Sequence, residues 1–287
     1  MSVKRGALVT DSVKKNRGIV MIVGGAEEKN PDAPVLKKFI DLSGGDEAVI
    51  SIVPTASMEP DEVMETYRDV FDRSNVKKVN FIDIRNRKDA SLPKNIKMLR
   101  ESSGVFFTGG DQLRITTILG GTEFRQALAE IYALGCVIAG TSAGAAMMAS
   151  TMIKGGMGDV GLLRGGLHLG PGLNIVPGVI IDTHFVIRSR IGRLIHAISE
   201  NPSYIGIGLA QDTGLIIPHT GICEVVGSNV VTIVDGNQIE YTNITDIFEG
   251  EAISVSPITL HVLVHGDRFD LYNAKRINTR RSIAKHS

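Results

Sequence analysis

Only two cysteines occur in 287 residues, Cys136 and Cys223, and both sit in apolar surroundings. A disulfide framework is therefore not expected; two free, buried thiols are. An excess of either charge is also lacking. The 31 basic and 31 acidic residues balance, so no global field draws the chain to nucleic acid or an anionic membrane, although a local pocket can still be strongly charged. No apolar run approaches the roughly 18 residues of a membrane span. The basic stretch Met1 to Arg17 is followed by no continuous apolar segment of the secretory kind, and a cytoplasmic setting is expected. Missing too is the glycine spacing of a dinucleotide fingerprint: Gly24-Gly25-Ala26-Glu27-Glu28 carries acids that would repel phosphate, which sets a nucleotide-binding sensor aside.

What is present is an alternation. Apolar, β-rich runs at Gly18 to Gly24, Ala48 to Val53, Val79 to Ile82, Gly104 to Thr108 and Cys136 to Ala139 are separated by helical patterns. The helical stretches are Pro34 to Leu42, Asp61 to Asp72 and Thr122 to Leu134. This predicts an α/β fold with a mostly parallel sheet and helices on both faces. Ile153 to Gly172 is glycine-rich without a clean period and reads as a long loop. A strand at Gly178 to Asp182 and a helix at Ile187 to Ser199 follow. After about residue 204 short strands and turns dominate, with Asp235-Gly236 as a hairpin signal. They read as a C-terminal β-rich extension on the same domain. No linker divides the chain, so residues 1–287 are taken as one domain, with 1–17 an N-terminal extension and 275–287 a frayed tail.

Cys136-Val137-Ile138-Ala139 runs directly into Gly140-Thr141-Ser142-Ala143-Gly144 and then into Ala145-Ala146-Met147-Met148. A sharp strand–turn–helix of this kind lifts its central side chain out of the sheet edge, and small neighbours let strand and helix approach. Ser142 is the candidate nucleophile, and the amide of Ala143, at a helix start, is a candidate oxyanion donor. Helix capping by Ser142 or Thr141 is the plainer reading; the carboxyl end of a parallel strand, where ligands bind, favours chemistry. Gly109-Gly110-Asp111-Gln112 ends another strand in the same way. Gly110 is the second candidate oxyanion donor there, compatible with Asp111 serving as an N-cap.

A serine needs a general base, usually histidine. Of seven histidines, His184 ends the apolar strand Val179-Ile180-Ile181-Asp182 and is the best placed. His168, His196, His219, His261, His265 and His286 lie in loop, helix, late β-structure or tail. An acid is available between serine and histidine at Asp159 or Asp182, but Asp182 shares a strand with His184, and a side chain two residues away on the same face is usually too far to hold the ring. The acid is then expected near Gly206 to Thr213.

Taken together, Gly24-Gly25-Ala26-Glu27-Glu28-Lys29, Gly109-Gly110-Asp111-Gln112, Gly140-Thr141-Ser142-Ala143-Gly144 and Asp182-Thr183-His184-Phe185 resemble, in order and spacing, the motifs of cyanophycinases. These are serine peptidases of the family that also holds aspartyl dipeptidase. The resemblance runs over roughly residues 18 to 218. It implies a sheet like that of class I glutamine amidotransferases, a homodimer, and no metal or other cofactor. The implied substrate is cyanophycin, a polyaspartate bearing arginine on each β-carboxyl, cut from the chain end into β-aspartyl-arginine dipeptides. Ser142 would attack, His184 relay the proton, and a glutamate complete the triad. At that glutamate's position this chain has Gln211. Three accounts stand: an introduced substitution that traps substrate, Asp212 acting instead, or a binding protein that has lost its chemistry. The intact remainder of the motifs favours the first. Thr183 also departs, since cyanophycinases often carry glutamine there.

Arg188, Arg190 and Arg193 follow His184 closely, and guanidinium forks suit the carboxylates of an aspartyl substrate. Asp182 and Asp111 could meet arginine branches or a free amine, Gln112 the substrate backbone, and Glu27 or Glu28 arginine side chains. An aspartyl or isoaspartyl dipeptidase remains the alternative enzyme, and a non-catalytic polymer- or peptide-binding protein the alternative of another class.

Overall fold

The computed structural model describes residues 18–156 and 162–277. The extension at 1–17, Asp159 and most of the basic tail lie outside the described residues. β1 (Val20–Val23) is apolar and buried at every position, as a strand covered on both faces must be. α1 (Pro34–Leu42) leads into β2 (Val49–Val53), α2 (Pro60–Asp72) into β3 (Lys78–Phe81), and α3 (Pro93–Arg100) into β4 (Gly104–Phe107). All three helices begin on a proline, whose missing N–H would be unused in a first turn and whose φ is already helical. α3 escapes a periodicity reading because it has eight residues and buries only Asn95, Ile96 and Leu99.

α4 (Gln112–Leu119) starts on Asp111, whose Oδ1 accepts the Leu113 amide at 2.8 Å, and α5 (Glu123–Ala133) on Thr122, whose hydroxyl accepts from Arg125. β5 (Val137–Thr141) then delivers the short helix α6 (Ala143–Ala146). β1, β5, β4, β2 and β3 lie side by side, parallel, in that spatial order. Alternate residues of β1 face opposite layers. Val20 and Ile22 pack with Ile96, Ile115, Phe124 and Leu128, while Met21 and Val23 pack with Leu36, Phe39, Tyr67 and Phe71. Helices therefore cover both faces.

The second half departs from the expected plan. β6 (Thr151–Gly156) and β7 (Leu167–Pro171) form an antiparallel hairpin with an irregularity between Ile153 and Gly155, where a loop is expected from the glycines. Glycine at both partners conceals the period-2 pattern. β8 (Val179–Asp182) is followed by α7 (Ile191–Glu200), four residues later than the periodicity of Ile187 to Ser199 suggests. His184 and Ser189 have φ of 50° and 48°, so residues 184–190 form turns that delay the helix.

β9 (Ile205–Leu209), β10 (Thr213–Ile217), β11 (Ile222–Gly227) and β12 (Val231–Asp235) come next. The small pair β13 (Tyr241–Thr242) and β14 (Val255–Ser256) precedes β15 (Thr259–Leu263), β16 (Arg268–Asp270) and β17 (Lys275–Ile277). These strands are not an appendage. β10, β11, β16 and β17 continue the main sheet antiparallel from β1, giving nine strands, half of whose pairings are parallel. β15, β12, β9 and β8 form a second, four-stranded sheet, and Ile181, Ile207 and Ile233 share one core with β1 and β5. Asp235-Gly236 makes a turn, but β12 pairs with β9 and β15, not with the next strand. Lys275 to Ile277, expected to fray, pairs with β16. Among the described residues no helix is long and apolar enough to cross a membrane.

Candidate active site

β5 and β8, in different sheets, end near one another. Ser142 follows β5 with φ 52° and ψ −113°, a conformation that costs a non-glycine residue about 1–3 kcal/mol and is held by the surrounding fold. Any side chain at Gly140 would collide with the Gly144 carbonyl, and one at Gly144 with the Phe107 carbonyl. The small residues flanking Ser142 are thus required by the packing of β5, α6 and β4.

His184 follows β8 and is also left-handed, its amide donating to the Gly24 carbonyl at 2.8 Å. A Cβ on Gly25 would strike the imidazole, so the first loop covers one face of the ring with bare backbone. Ser142 Oγ lies 2.9 Å from His184 Nε2, and Gln211 Nε2 lies 3.0 Å from Nδ1. The structure brings these three side chains together in line. It places Asp212 elsewhere: its carboxylate accepts the Glu28 amide at 3.1 Å and the Ser228 hydroxyl at 2.7 Å.

The amide at 211 leaves the tautomer open. If its nitrogen faces Nδ1, the ring proton sits on Nε2 and points at Ser142. With the amide turned over, its oxygen accepts from Nδ1–H and Nε2 is free to take the serine proton. Burial lowers the His184 pKa, helped by Arg188 and Arg190 and opposed by Glu27 and Asp182. A neutral imidazole, the form a general base needs, is favoured.

The pair opens into a cavity of about 240 Å³. Gly110, Gln112, Ala143, Asp182, Thr183, Arg188, Arg190 and Arg193 line it with Ser142 and His184. The amides of Gly110 and Ala143 donate to no other group among the described residues, as oxyanion donors should not. Lys154, on β6, also lines the cavity. Lys154, Arg188, Arg190 and Arg193 oppose the single carboxylate of Asp182, which makes this a site for anions.

Asp182 is only 1 % exposed. Its carboxylate takes Arg193 Nε at 2.6 Å, Arg193 Nη2, and Arg190 Nη1 at 3.3 Å. Its bonds thus go to the two guanidiniums that line the cavity beside it. Arg190 is also held by the Thr183 carbonyl at 2.5 Å. Gln112 donates to the Ile153 carbonyl at 2.8 Å, which ties α4 to β6. Asp111 caps α4 and is not among the cavity residues.

Among the described residues no arginine bonds the side chains of Glu27 or Glu28. Glu27 is buried, bonded to Lys29, Tyr67 and the Thr141 hydroxyl. Neither Lys154 nor this use of Glu27 stands out in the sequence. The first lies in a stretch without period, and the second depends on a contact spanning 114 positions. Of the other histidines, His196 bonds Glu200 at 3.1 Å and His261 packs edge-on against Phe269. Cys136 and Cys223 are free and buried, with the Cys136 thiol pushed up to about 12 by desolvation and Cys223 higher still.

Comparison with known proteins identifies relatives of the whole chain. A cyanophycinase of Trichormus variabilis is 38 % identical over 254 residues, covering 88 % of this chain and 85 % of the relative. One of Synechococcus elongatus is 36 % identical over 257 residues, covering 89 % and 80 %. The crystal structure of a peptidase from an acI-B1 Actinobacterium superposes with a TM-score of 0.66 over 88 % of this chain and 97 % of that one, at 21 % identity, a likeness of fold. The model of "Peptidase family S51" matches residues 19–225. The chain belongs to peptidase family S51 and is a serine peptidase by kind.

Proposed function

We propose that the chain is a serine exopeptidase that cuts cyanophycin into β-aspartyl-arginine dipeptides. The observation that carries this is the Ser142–His184–Gln211 line, at 2.9 and 3.0 Å, opening onto a cavity with four cationic side chains. In the reaction, Ser142 Oγ attacks the scissile carbonyl as His184 Nε2 takes its proton. The developing oxyanion is met by the amides of Gly110 and Ala143. His184 then protonates the departing amine, and water releases the acyl group by the same steps in reverse.

The unit released from a cyanophycin end carries the carboxylates of aspartate and arginine. Arg188, Arg190, Arg193 and Lys154 are the groups in this cavity that match them. Relatives of 36–38 % identity named cyanophycinase support the substrate. The sheet order with the nucleophile beyond β5 supports an architecture of the class I glutamine amidotransferase kind. One domain, a homodimeric assembly and a cytoplasmic setting complete the reading.

A second reading draws on Gln211: with an amide behind His184, the chain would retain polymer or a β-aspartyl peptide while turning it over slowly. Chromatographic assay of dipeptide release from cyanophycin, beside short aspartyl and isoaspartyl peptides, separates these. Dipeptide from polymer is expected. Cleavage of short peptides alone would assign a dipeptidase, and saturable polymer binding with no product in the Gln211→Glu variant would assign a binding protein.

A further inference from the structure

A buried carboxylate is bonded to the residue that precedes the nucleophile. Glu27 has no solvent-exposed side-chain surface. Its Oε1 accepts the Tyr67 hydroxyl at 2.5 Å and the Lys29 ammonium at 2.6 Å, and its Oε2 accepts the Thr141 hydroxyl at 2.5 Å. Thr141 is covalently next to Ser142. Two residues before Glu27, Gly25 lies against the imidazole, and its carbonyl accepts the Asp212 amide at 2.9 Å. One short loop thus touches the residue before the nucleophile, the base, and the strand end that carries Gln211.

A neutral glutamine could bond both hydroxyls, accepting from one through its oxygen and donating to the other through its nitrogen, without the desolvation cost of a buried charge. A carboxylate here needs a reason that depends on its charge. The groups facing His184 supply one. Arg188 and Arg190 and the burial of the ring oppose its protonation, and Glu27 and Asp182 favour it. Asp182 is engaged by Arg190 and Arg193, and Gln211 is uncharged. Glu27 is bonded as well to Tyr67, whose hydroxyl is held well above its ordinary pKa by burial and by Glu27, and to the partly exposed Lys29.

We propose that Glu27 is a positioning residue for this pair, fixing the nucleophile turn through Thr141 and supplying the negative charge that steadies a protonated His184 where position 211 holds an amide. The proposal rests on the serine-peptidase reading, and its test keeps the two separable. Glu27→Gln and Glu27→Asp are made in the chain with Gln211 and in the Gln211→Glu variant. The His184 ring is titrated by NMR, and modification of Ser142 by a serine-directed phosphonate is timed by mass spectrometry.

Glu27→Gln is expected to lower the His184 pKa and slow labelling at least about threefold where Gln211 is present. Both effects should shrink in the Gln211→Glu background, where the new carboxylate supplies the charge. Glu27→Asp should restore the pKa even where packing is weakened. An unchanged His184 pKa in Glu27→Gln, or an equal slowing in both backgrounds, overturns the proposal by making Glu27 a packing element alone. Absence of Ser142 labelling in every background would overturn the peptidase reading instead, while the NMR titration still decides the role of Glu27.

Discussion

Replacing Gln211 by glutamate asks the most of the geometry. The side-chain nitrogen of Gln211 sits 3.0 Å from His184 Nδ1, so a carboxylate there would place negative charge about 4 Å from the centre of an imidazolium. At an effective dielectric near 20, such a pair is worth about 4 kcal/mol. The ring is half-buried, and screening by water reduces this to about 2–4 kcal/mol. At tenfold per 1.4 kcal/mol, kcat should rise roughly 30- to 1000-fold. A carboxylate also accepts from Nδ1–H with either oxygen, which removes the unproductive tautomer that an amide allows. The assay is initial-rate release of β-aspartyl-arginine from saturating cyanophycin by Gln211→Glu and the unsubstituted chain, with melting curves to confirm equal folding. Equal kcat values in two folded proteins would refute the idea that position 211 supports His184.

Asp182→Asn should leave Arg190 and Arg193 without their carboxylate. Breaking a mostly buried pair costs about 3–5 kcal/mol, so a Tm lower by on the order of 10 °C and a raised KM are expected by calorimetry and kinetics. Gly144→Ala drives a methyl group into the Phe107 carbonyl and should destabilise by about 1–3 kcal/mol, read from urea unfolding, with activity reduced as Ser142 shifts. Because His184 is lowered by burial and by Arg188 and Arg190, the base is neutral to more acidic pH. The acidic limb of kcat/KM should then fall below the usual histidine range and move upward in Gln211→Glu; a limb above that range in the unsubstituted chain would contradict the electrostatics. Lys154→Met should raise KM more than it lowers kcat, since Lys154 lines the cavity but is no member of the Ser142–His184–Gln211 line.

Much of the parallel half of the sheet was legible because β1, β4 and β5 are buried at every position and read as apolar runs between helical patterns. The turn at Ser142 announces itself through glycines whose neighbours leave no room for Cβ. His184 could be singled out by its position after β8. The antiparallel half was less legible. Nothing local in Thr213–Ile217 says that it will pair with β1, since partner choice is made by packing across nearly the whole chain. The glycines of β6 and β7 hid a hairpin, and with it Lys154. The contacts of Asp182 and Gln112 were hidden likewise: one bonds Arg190 and Arg193 and the other the Ile153 carbonyl of β6, and both depend on residues brought in by folding.

The central claim is that Ser142 is the nucleophile of a serine peptidase. Mass spectrometry of the Gln211→Glu variant after treatment with a serine-directed phosphonate tests it directly. A single adduct on the peptide containing Ser142, with dipeptide release lost in step and both absent in Ser142→Ala, is expected. Modification of another residue, or dipeptide release that persists in Ser142→Ala, would contradict the account.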